Sequence, residues 1–335
     1  MITIGIETSC DDTAVALIEN NGKILSNVLT SQDAFHKDFG GIVPEIASRK
    51  HAELIGYTIV EALKLANLYL NSIDLISVTK GPGLVGSLLV GVEAAKALSF
   101  ALDKPLIGVN HLEGHICSIF VEGAPLYNRN DVFPLVVLIV SGGHTELVVM
   151  NGFLDYNVLG RTRDDAAGEA IDKFARFLGY SYPGGPIIEQ IGLEGDPMKY
   201  TFPTLKFRGS PYEFSFSGLK TAGVYFIEKN PGVVQNDLPS LAASFENALV
   251  RILVERTLRA AKDFNVKGIG VVGGVSANKR LRDTFAKESP IPVYFPPKFL
   301  STDNAAMVAL NGYLRYILRN EVSDLRLDAI SSLEL

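Results

Sequence analysis

The chain has 335 residues, of which 47% are hydrophobic and 20% are charged, and its 31 basic and 37 acidic residues give a net charge of −6. This length predicts about two domains, each large enough to bury a core of its own. The acidic excess excludes a protein whose overall charge attracts nucleic acid, so a nucleic-acid substrate would need a local basic patch or a partner protein.

Cysteine content and hydropathy predict a soluble, cytoplasmic protein without a membrane segment. Only Cys10 and Cys117 are present, too few for a disulfide framework, so both are expected to be reduced. The first residues lack the basic flank and apolar core of a signal peptide. The longest apolar run, residues 133–140, is far shorter than the roughly 20 residues that a membrane helix needs.

The first part of the chain alternates between strands and helices, which predicts an α/β domain. It opens with strands at 3–7 and 13–19, and the Asn20-Asn21-Gly22 turn leads to a third strand at 23–30. After these we predict a helix at 53–69, a strand at 73–79, a helix from the Gly81-Pro82-Gly83 turn to residue 102, and a strand at 105–109.

The opening pattern then occurs a second time. Strands at 136–140 and 145–150 enclose another small polar turn, and Ser9 and Thr13 align with Ser141 and Thr145 at one offset of 132 residues. We therefore predict a duplication, with domains at 1–130 and 131–335. The second domain is completed by helices at 163–179, 217–229 and 239–264, a strand at 268–272, and helices beginning at 277 and 303.

Two mixed-sheet α/β domains that each open with a hairpin and a small polar turn resemble the actin-like ATPase fold. In that fold the turns face a central cleft, and their backbone N–H groups hold phosphates. The sequence therefore predicts the α/β class and a duplicated, two-domain actin-like architecture with a central cleft.

Two histidines have the spacing of metal ligands. His111 and His115 lie at positions i and i+4 of Asn-His-Leu-Glu-Gly-His, so a helix would project both imidazoles from one face. The alternative is a purely structural pair. Glu113 lies between them, but we expect it to satisfy the helix N-terminus rather than to act as a base, and the protease pattern His-Glu-x-x-His is absent.

A complete metal site would need a third protein ligand. Asp303, in Ser-Thr-Asp-Asn before the last predicted helix, is a candidate. Aspartate at a helix start is also a common cap, and the residues alone leave both interpretations open.

Glycine-rich turns supply candidate anion sites. Ser141-Gly142-Gly143 follows an apolar strand, and a Gly-Gly turn at 273–274 precedes Asn278 in the expected first turn of a helix. Either turn could hold a phosphate, a carboxylate or a ribose, or be only a tight turn. The 183–186 segment reads as an irregular loop, and nothing in the spacing assigns Asp172 a role.

Taken together, these segments resemble the TsaD family of tRNA adenosine threonylcarbamoyltransferases, once described as O-sialoglycoprotein endopeptidases. The resemblance extends through nearly the whole chain. The segments that carry it are GIETSCDDTAVA, GGIVPEIASRKHAE, GPGLVGSLLVG, GVNHLEGH, LIVSGGHTEL, DDAAGEAIDK, YPGGP, FSFSGLKTA, GGVSANKRLR and STDNAAM.

The resemblance implies a set of site residues. One divalent metal ion per chain, iron (Fe²⁺) or zinc (Zn²⁺), would be bound by His111, His115 and Asp303. The activated substrate, threonylcarbamoyl-AMP, would be bound by Ile139, Val140, Ser141, Gly142, Gly143, Asp172, Gly185 and Asn278, with Glu189 and Asp11 as weaker candidates. ATP or ADP is expected to fit the same site.

The implied reaction moves the threonylcarbamoyl group to the adenosine that follows the anticodon, in tRNAs reading codons that begin with A, and releases AMP. The implied partners are tRNA, a TsaB-like paralogue, a TsaE-like ATPase and the synthase that makes threonylcarbamoyl-AMP. Candidate tRNA contacts are Arg49, Lys50, Lys206 and Arg208. The competing interpretations are a metalloprotease, a kinase of the same fold and a non-catalytic actin-like scaffold.

Overall fold

The computed structural model describes residues 1–32, 36, 41–203 and 210–335. It divides into two compact units, unit 1 with Met1–Asn130 and Pro296–Leu335, and unit 2 with Asp131–Phe295. The predicted tRNA contacts Lys206 and Arg208 lie outside the described residues. One division falls after residue 130, and the last forty residues, predicted to be part of the second domain, pack with the first unit.

Unit 1 is built on a mixed sheet of five strands in the order β3-β2-β1-β4-β5. β1 pairs antiparallel with β2 and parallel with β4, while β2 pairs antiparallel with β3 and β4 parallel with β5. The strands are β1 (Ile2–Glu7), β2 (Thr13–Glu19), β3 (Lys23–Thr30), β4 (Leu75–Gly81) and β5 (Leu106–Asn110).

Unit 2 repeats this topology, as the sequence repeat predicts. Its sheet has the order β10-β9-β6-β7-β8, with β6 antiparallel to β7 and parallel to β9, so β6 occupies the place of β1. The strands are β6 (Leu135–Val140), β7 (Thr145–Gly152), β8 (Asp155–Arg161), β9 (Gly268–Val272) and β10 (Val293–Tyr294). The short strand β10 and the exposed strand β8 were not predicted.

Helices cover both sheets. In chain order they are α1 (Pro44–Leu65), α2 (Val85–Leu102), α3 (His111–Cys117), α4 (Ala167–Phe177), α5 (Gly184–Gly192), α6 (Ser217–Lys229), α7 (Val233–Asp263), α8 (Lys279–Glu288), α9 (Lys298–Ser301) and α10 (Ala305–Arg319), with 3₁₀ turns at Leu70–Ser72 and Gly274–Ala277. In unit 1, Ile4 and Ile6 of β1 pack with residues of α1 and α2, and Gly5 between them faces α10. Because successive strand residues point to opposite faces, the sheet lies between two helical layers.

The last residues return to unit 1 through α10 and the segment after it. Ser77 of β4 donates to the Val308 carbonyl at 2.7 Å, and the Ser323 amide donates to the Leu106 carbonyl of β5 at 2.7 Å. The sequence predicts a helix beginning at 303 and the structure has α10 over Ala305–Arg319, but a predicted helix does not tell which sheet it covers. This is why the predicted boundary of the second domain was wrong at its end.

The 183–186 segment forms the start of a helix rather than an irregular loop. The Asp172 carboxylate of α4 accepts hydrogen bonds from the Gly184 and Gly185 amides at 2.8 and 3.3 Å. It therefore caps α5 from outside the segment, a contact that local turn composition cannot reveal.

One helix of the described residues, α2, is long and apolar enough to cross a membrane. Leu88, Val92 and Ala95 of this helix are buried in the unit 1 core, and its Gly91 lies against Thr8. A core helix passes the same test of length and hydropathy, so α2 is weak evidence for a membrane span.

The contact between β1 and α10 generates a stability prediction. A Cβ on Gly5 would lie 2.2 Å from the Ala305 carbonyl oxygen and 2.7 Å from the Ala309 nitrogen, both backbone atoms. We expect Gly5→Ala to lower the free energy of unfolding by about 2 kcal/mol or more, measured by denaturant titration and by Tm. The control is Gly56→Ala, since a Cβ there meets nothing within 4 Å and should stabilise α1 slightly. Equal stability of the two variants would contradict the packing described.

Candidate metal centre and substrate-binding turns

The two histidines of the predicted metal motif lie on α3, which begins as β5 ends. The Asn110 side chain caps this helix, accepting hydrogen bonds from the Leu112 amide at 2.8 Å and the Glu113 amide at 3.4 Å. His111 and His115 then lie one turn apart, with ring centroids 4.6 Å from each other. Both side chains are buried, and the two rings lie side by side on one face of α3.

Asp303 joins the two histidines from the opposite end of the sequence. Its Oδ1 lies 3.6 Å from His111 Nε2 and 3.2 Å from His115 Nε2. The helix cap is the neighbouring residue, because the Asn304 side chain accepts from the Met307 amide at 3.0 Å. Asp303 is therefore not the cap of α10, and its carboxylate faces the histidines.

The three side chains fit a divalent cation. One ligand atom from each of His111, His115 and Asp303 lies within 4.8 Å of the other two. His115 Nε2 is buried and, although it lies 3.2 Å from Asp303 Oδ1, makes no hydrogen bond of normal geometry with a described residue; a coordinated ion would satisfy this nitrogen. Two imidazoles and one carboxylate suit Fe²⁺ or Zn²⁺, and three protein ligands leave positions for a substrate.

His111 has a second partner that the sequence analysis did not identify. Glu7, fully buried at the end of β1, places its Oε2 3.0 Å from His111 Nδ1. Burial lowers the pKa of His111, but Glu7 and Asp303 outweigh it and raise that pKa to about 9. Burial likewise raises the pKa of Glu7, while His111 reverses this and holds it below its ordinary value. An ion entering the site must therefore displace a proton from His111.

Glu113 is committed to a structural contact. Its Oε2 accepts from Arg315 Nε at 2.8 Å, Arg315 Nη2 at 2.6 Å and Asn311 Nδ2 at 3.0 Å. Glu113 was expected to satisfy the N-terminus of its own helix, and that expectation was wrong. Its carboxylate instead binds Asn311 and Arg315 and so links α3 to α10. It is paired with a cation and is not placed as the base of a protease.

The polar turn between β1 and β2 is held from within unit 1. His51 of α1, which the sequence analysis did not single out, contacts both ends of this turn. Its Nε2 lies 3.0 Å from the Cys10 carbonyl oxygen, and its Nδ1 lies 2.7 Å from Thr13 Oγ1. Burial lowers the pKa of His51, so it is neutral and links the two ends of the turn. The weaker candidate Asp11 is buried in this turn. Both cysteines are free, and burial raises their thiol pKa values.

The corresponding turn of unit 2 is open. The side chains of Ile139 and Val140 are buried in β6, so only their backbone could reach a ligand. Ser141 closes the turn by accepting from the His144 amide at 3.1 Å. Gly142 and Gly143 are exposed, a Cβ on either would meet nothing within 4 Å, and no described residue accepts from their amides.

The remaining predicted substrate residues form two groups in unit 2. Asp172 and Gly185 meet through the cap of α5, and burial raises the pKa of Asp172 although the two glycine amides oppose it. Asn278 is the cap of α8 rather than a residue of its first turn, and accepts from the Leu281 amide at 2.9 Å. Its Nδ2 donates to Glu246 at 2.6 Å and to Glu189 at 3.3 Å. The metal triad lies in unit 1 and these residues lie in unit 2.

The Glu113–Arg315 pair predicts a strong coupling energy. Removing one partner, as in Arg315→Met, leaves a buried carboxylate without its cation and should cost about 3 kcal/mol of unfolding free energy. The double variant Glu113→Leu/Arg315→Met should recover most of that loss. A double-mutant cycle by denaturant unfolding measures this, with the exposed Arg326→Met and its partner Asp324 as the control pair. Additive effects at 113 and 315 would contradict the pairing.

Comparison with known proteins agrees with these motifs. The model of the TsaD family, described as tRNA N6-adenosine threonylcarbamoyltransferase, matches residues 23–310. A protein of that name from Carboxydothermus hydrogenoformans is 50% identical over 100% of this chain and 98% of its own length. One from Thermodesulfovibrio yellowstonii is 50% identical over 100% of both chains.

Solved structures establish the fold. HypF of T. kodakarensis covers 97% of this chain and 49% of its own, at 16% identity and a TM-score of 0.63. The activator of the 2-hydroxyisocaproyl-CoA dehydratase from Clostridium difficile is 13% identical, with a TM-score of 0.54. The match covers 97% of this chain and 99% of the activator. The ROK hexokinase from Thermus thermophilus is 15% identical, with a TM-score of 0.50. The match covers 94% of this chain and 99% of the hexokinase. The predicted actin-like ATPase fold is confirmed, and with the full-length similarity of its curated relatives the chain belongs to the TsaD family of tRNA N6-adenosine threonylcarbamoyltransferases.

Proposed function

We propose that this protein transfers the threonylcarbamoyl group from threonylcarbamoyl-AMP to the exocyclic N6 amine of the adenosine that follows the anticodon in tRNAs reading codons that begin with A. The observation that carries the proposal is full-length identity of 50% to relatives of that name, in a chain whose His111, His115 and Asp303 come together. A new N–C bond forms at the carbamoyl carbon, its bond to the phosphate oxygen breaks, the amine loses a proton and AMP leaves.

His111, His115 and Asp303 would hold one divalent ion, Fe²⁺ or Zn²⁺, which supplies Lewis-acid stabilisation of charge on the reacting oxygens when bound. A non-catalytic scaffold has no use for such a triad. A protease would need a free carboxylate as a base, and Glu113 is instead paired with Arg315 at 2.6 Å. A kinase would favour magnesium, which prefers oxygen ligands to imidazole.

The open turn of unit 2 suits the anionic part of the adenylate. Gly142 and Gly143 are exposed residues, and no described residue accepts from their amides, which could donate to a phosphate or a developing oxyanion. Asp172 orients the start of α5 and so places Gly185. The side-chain amide of Asn278 already donates to Glu246 and, at a longer distance, to Glu189. Asn278 would therefore support the substrate site by capping α8 rather than by donating this amide to the ligand. ATP or ADP would fit the same donors.

The charge of the chain bears on how it would bind tRNA. The net charge of −6 gives the isolated chain no general attraction for tRNA, and two candidate contacts are already paired, Arg49 with Glu45 and Lys50 with Glu53, both at 2.6 Å. We expect weak tRNA binding by the chain alone, strengthened by a TsaB-like paralogue and a TsaE-like ATPase. The synthase of threonylcarbamoyl-AMP acts upstream, and all of these work in the cytoplasm.

Unit 1 offers a surface that a protein partner could cover. Large apolar side chains are exposed on α1, on the segment that follows it and on α2, which packs against α1. They are Tyr57, Val60, Leu65, Tyr69, Leu70, Val85, Leu89 and Phe100. Neighbouring exposed apolar side chains are typical of interaction surfaces, which supports a stable protein partner.

The metal triad predicts a joint loss of metal and activity. His111→Ala/His115→Ala and Asp303→Ala should each bind less than about 0.1 ion per chain, and their transfer rate should fall at least about 100-fold. Metal is measured by elemental analysis, and activity by threonine incorporation into tRNA with the partner proteins, bicarbonate and ATP. Asp324→Asn, at an exposed aspartate, is the control. Full metal content in the double histidine variant would disprove the site.

A larger side chain in the open turn at 141–143 should weaken binding of threonylcarbamoyl-AMP. Gly142→Val should fold normally because no atom lies within 4 Å of the new Cβ, but its side chain would occupy the space above the amides. We expect KM for threonylcarbamoyl-AMP to rise about 10-fold, a loss of roughly 1.4 kcal/mol in binding. Gly152→Val, at an equally open glycine at the end of β7, should leave KM unchanged. The same KM for both variants would remove the turn from the binding site.

A further inference from the structure

Glu7 is a buried carboxylate with an unusual set of partners. It lies at the end of β1, with no exposed surface. Its Oε1 accepts from the Ser9 amide at 2.6 Å, and its Oε2 accepts from Thr79 Oγ1 at 2.6 Å and lies 3.0 Å from His111 Nδ1. Strand β1, strand β4 and helix α3 therefore all meet at one carboxylate.

The chemistry of the Glu7–His111 contact fixes the histidine ring. An ionised carboxylate can only accept, so His111 Nδ1 donates. In a neutral ring the other nitrogen, Nε2, then carries the lone pair, and it is this nitrogen that lies 3.6 Å from Asp303 Oδ1. Ser9 Oγ lies 3.1 Å from the same nitrogen, but a hydroxyl can donate or accept and does not select a tautomer. The Glu7 carboxylate therefore determines both the tautomer of His111 and the direction in which it offers its ligand atom.

The second histidine has no such support. His115 Nδ1 is buried without a hydrogen-bond partner among the described residues, so no hydrogen bond there orients its ring, and its Nε2 lies 3.2 Å from Asp303 Oδ1. The two histidines of α3 thus differ at Nδ1: that of His111 lies 3.0 Å from Glu7 Oε2, and that of His115 has no partner among the described residues. Of the two histidines, His111 is therefore the one whose ring is oriented by a hydrogen bond at Nδ1 before an ion binds.

We propose that Glu7 is a positioning residue for the metal centre, which holds His111 so that Nε2 faces the ion, and that Thr79 in turn fixes Glu7. The inference rests on the proposed metal site and goes beyond its three ligands. Carboxylates that orient a ligating histidine commonly change metal affinity by 10–100-fold when they are removed.

The test measures Zn²⁺ affinity by chelator competition and the visible spectrum of the Co²⁺-loaded protein. Glu7→Gln keeps the shape but removes the charge, and should weaken Zn²⁺ binding about 10–100-fold. At saturating Co²⁺ its absorption bands should differ from those of the wild type, which a loss of stability alone would not cause. The matched control is Glu146→Gln, at a buried strand glutamate of unit 2, and should leave both readouts unchanged.

Each outcome decides a different statement. If the wild-type chain binds no Zn²⁺, the proposed metal site fails before Glu7 is considered. If the wild type binds Zn²⁺ and Glu7→Gln matches it in affinity and spectrum, the role of Glu7 is overturned. If Glu7→Gln does not fold, Thr79→Val decides, because it keeps the carboxylate and removes only the 2.6 Å hydrogen bond that orients it. We expect several-fold weaker binding from Thr79→Val, and unchanged affinity there would reject the proposal.

Discussion

The close packing of α10 on β1 is the contact on which the cluster of His111, His115 and Asp303 depends. Helix and strand backbones meet at Gly5 at a distance that no side chain allows, with the Ala305 carbonyl only 2.2 Å from where a Cβ would stand. This contact fixes the first turn of α10, and Asp303 lies just before that turn. The return of the chain to the first sheet therefore brings a carboxylate from the end of the sequence to histidines far earlier in it.

Two buried ion pairs then select one arrangement of the elements that carry the ligands. Glu113 and Arg315 join α3 to α10, and Glu7 and His111 join α3 to β1. Removing charges from water costs several kcal/mol per ion, and the attraction between partners returns about as much when geometry is good. The net gain in stability is therefore small. What the pairs add is a penalty for any rotation or slide of α3 that would separate the partners, and such a movement would also separate the metal ligands.

Local pattern predicted the parts of this structure that depend on local chemistry. The strand–turn–strand repeat and the i, i+4 histidines follow from short-range periodicity, and both are present. The sequence could not assign Asp303, because Asp303 and Asn304 are both good caps and only the hydrogen bond to the Met307 amide shows which one caps. It misjudged Glu113 and the 183–186 segment for a similar reason. Their partners, Arg315 and Asp172, are set by tertiary packing, which no local pattern encodes.

The same topology is used differently in the two units. In unit 1 the turn after the first strand is closed: Glu7 accepts from the Ser9 amide, and the Ser9 carbonyl accepts from the Leu84 amide at 2.8 Å. In unit 2 the equivalent turn leaves Gly142 and Gly143 exposed, with open space where a Cβ on either would stand. A turn whose polar groups are satisfied internally can support a neighbouring site but has few donors left for a ligand, whereas a turn with free amides can bind an anion. The two equivalent turns of the duplicated fold therefore differ in chemistry: the turn of unit 1 is closed and borders the cluster of His111, His115 and Asp303, and the turn of unit 2 keeps amides to which no described residue accepts.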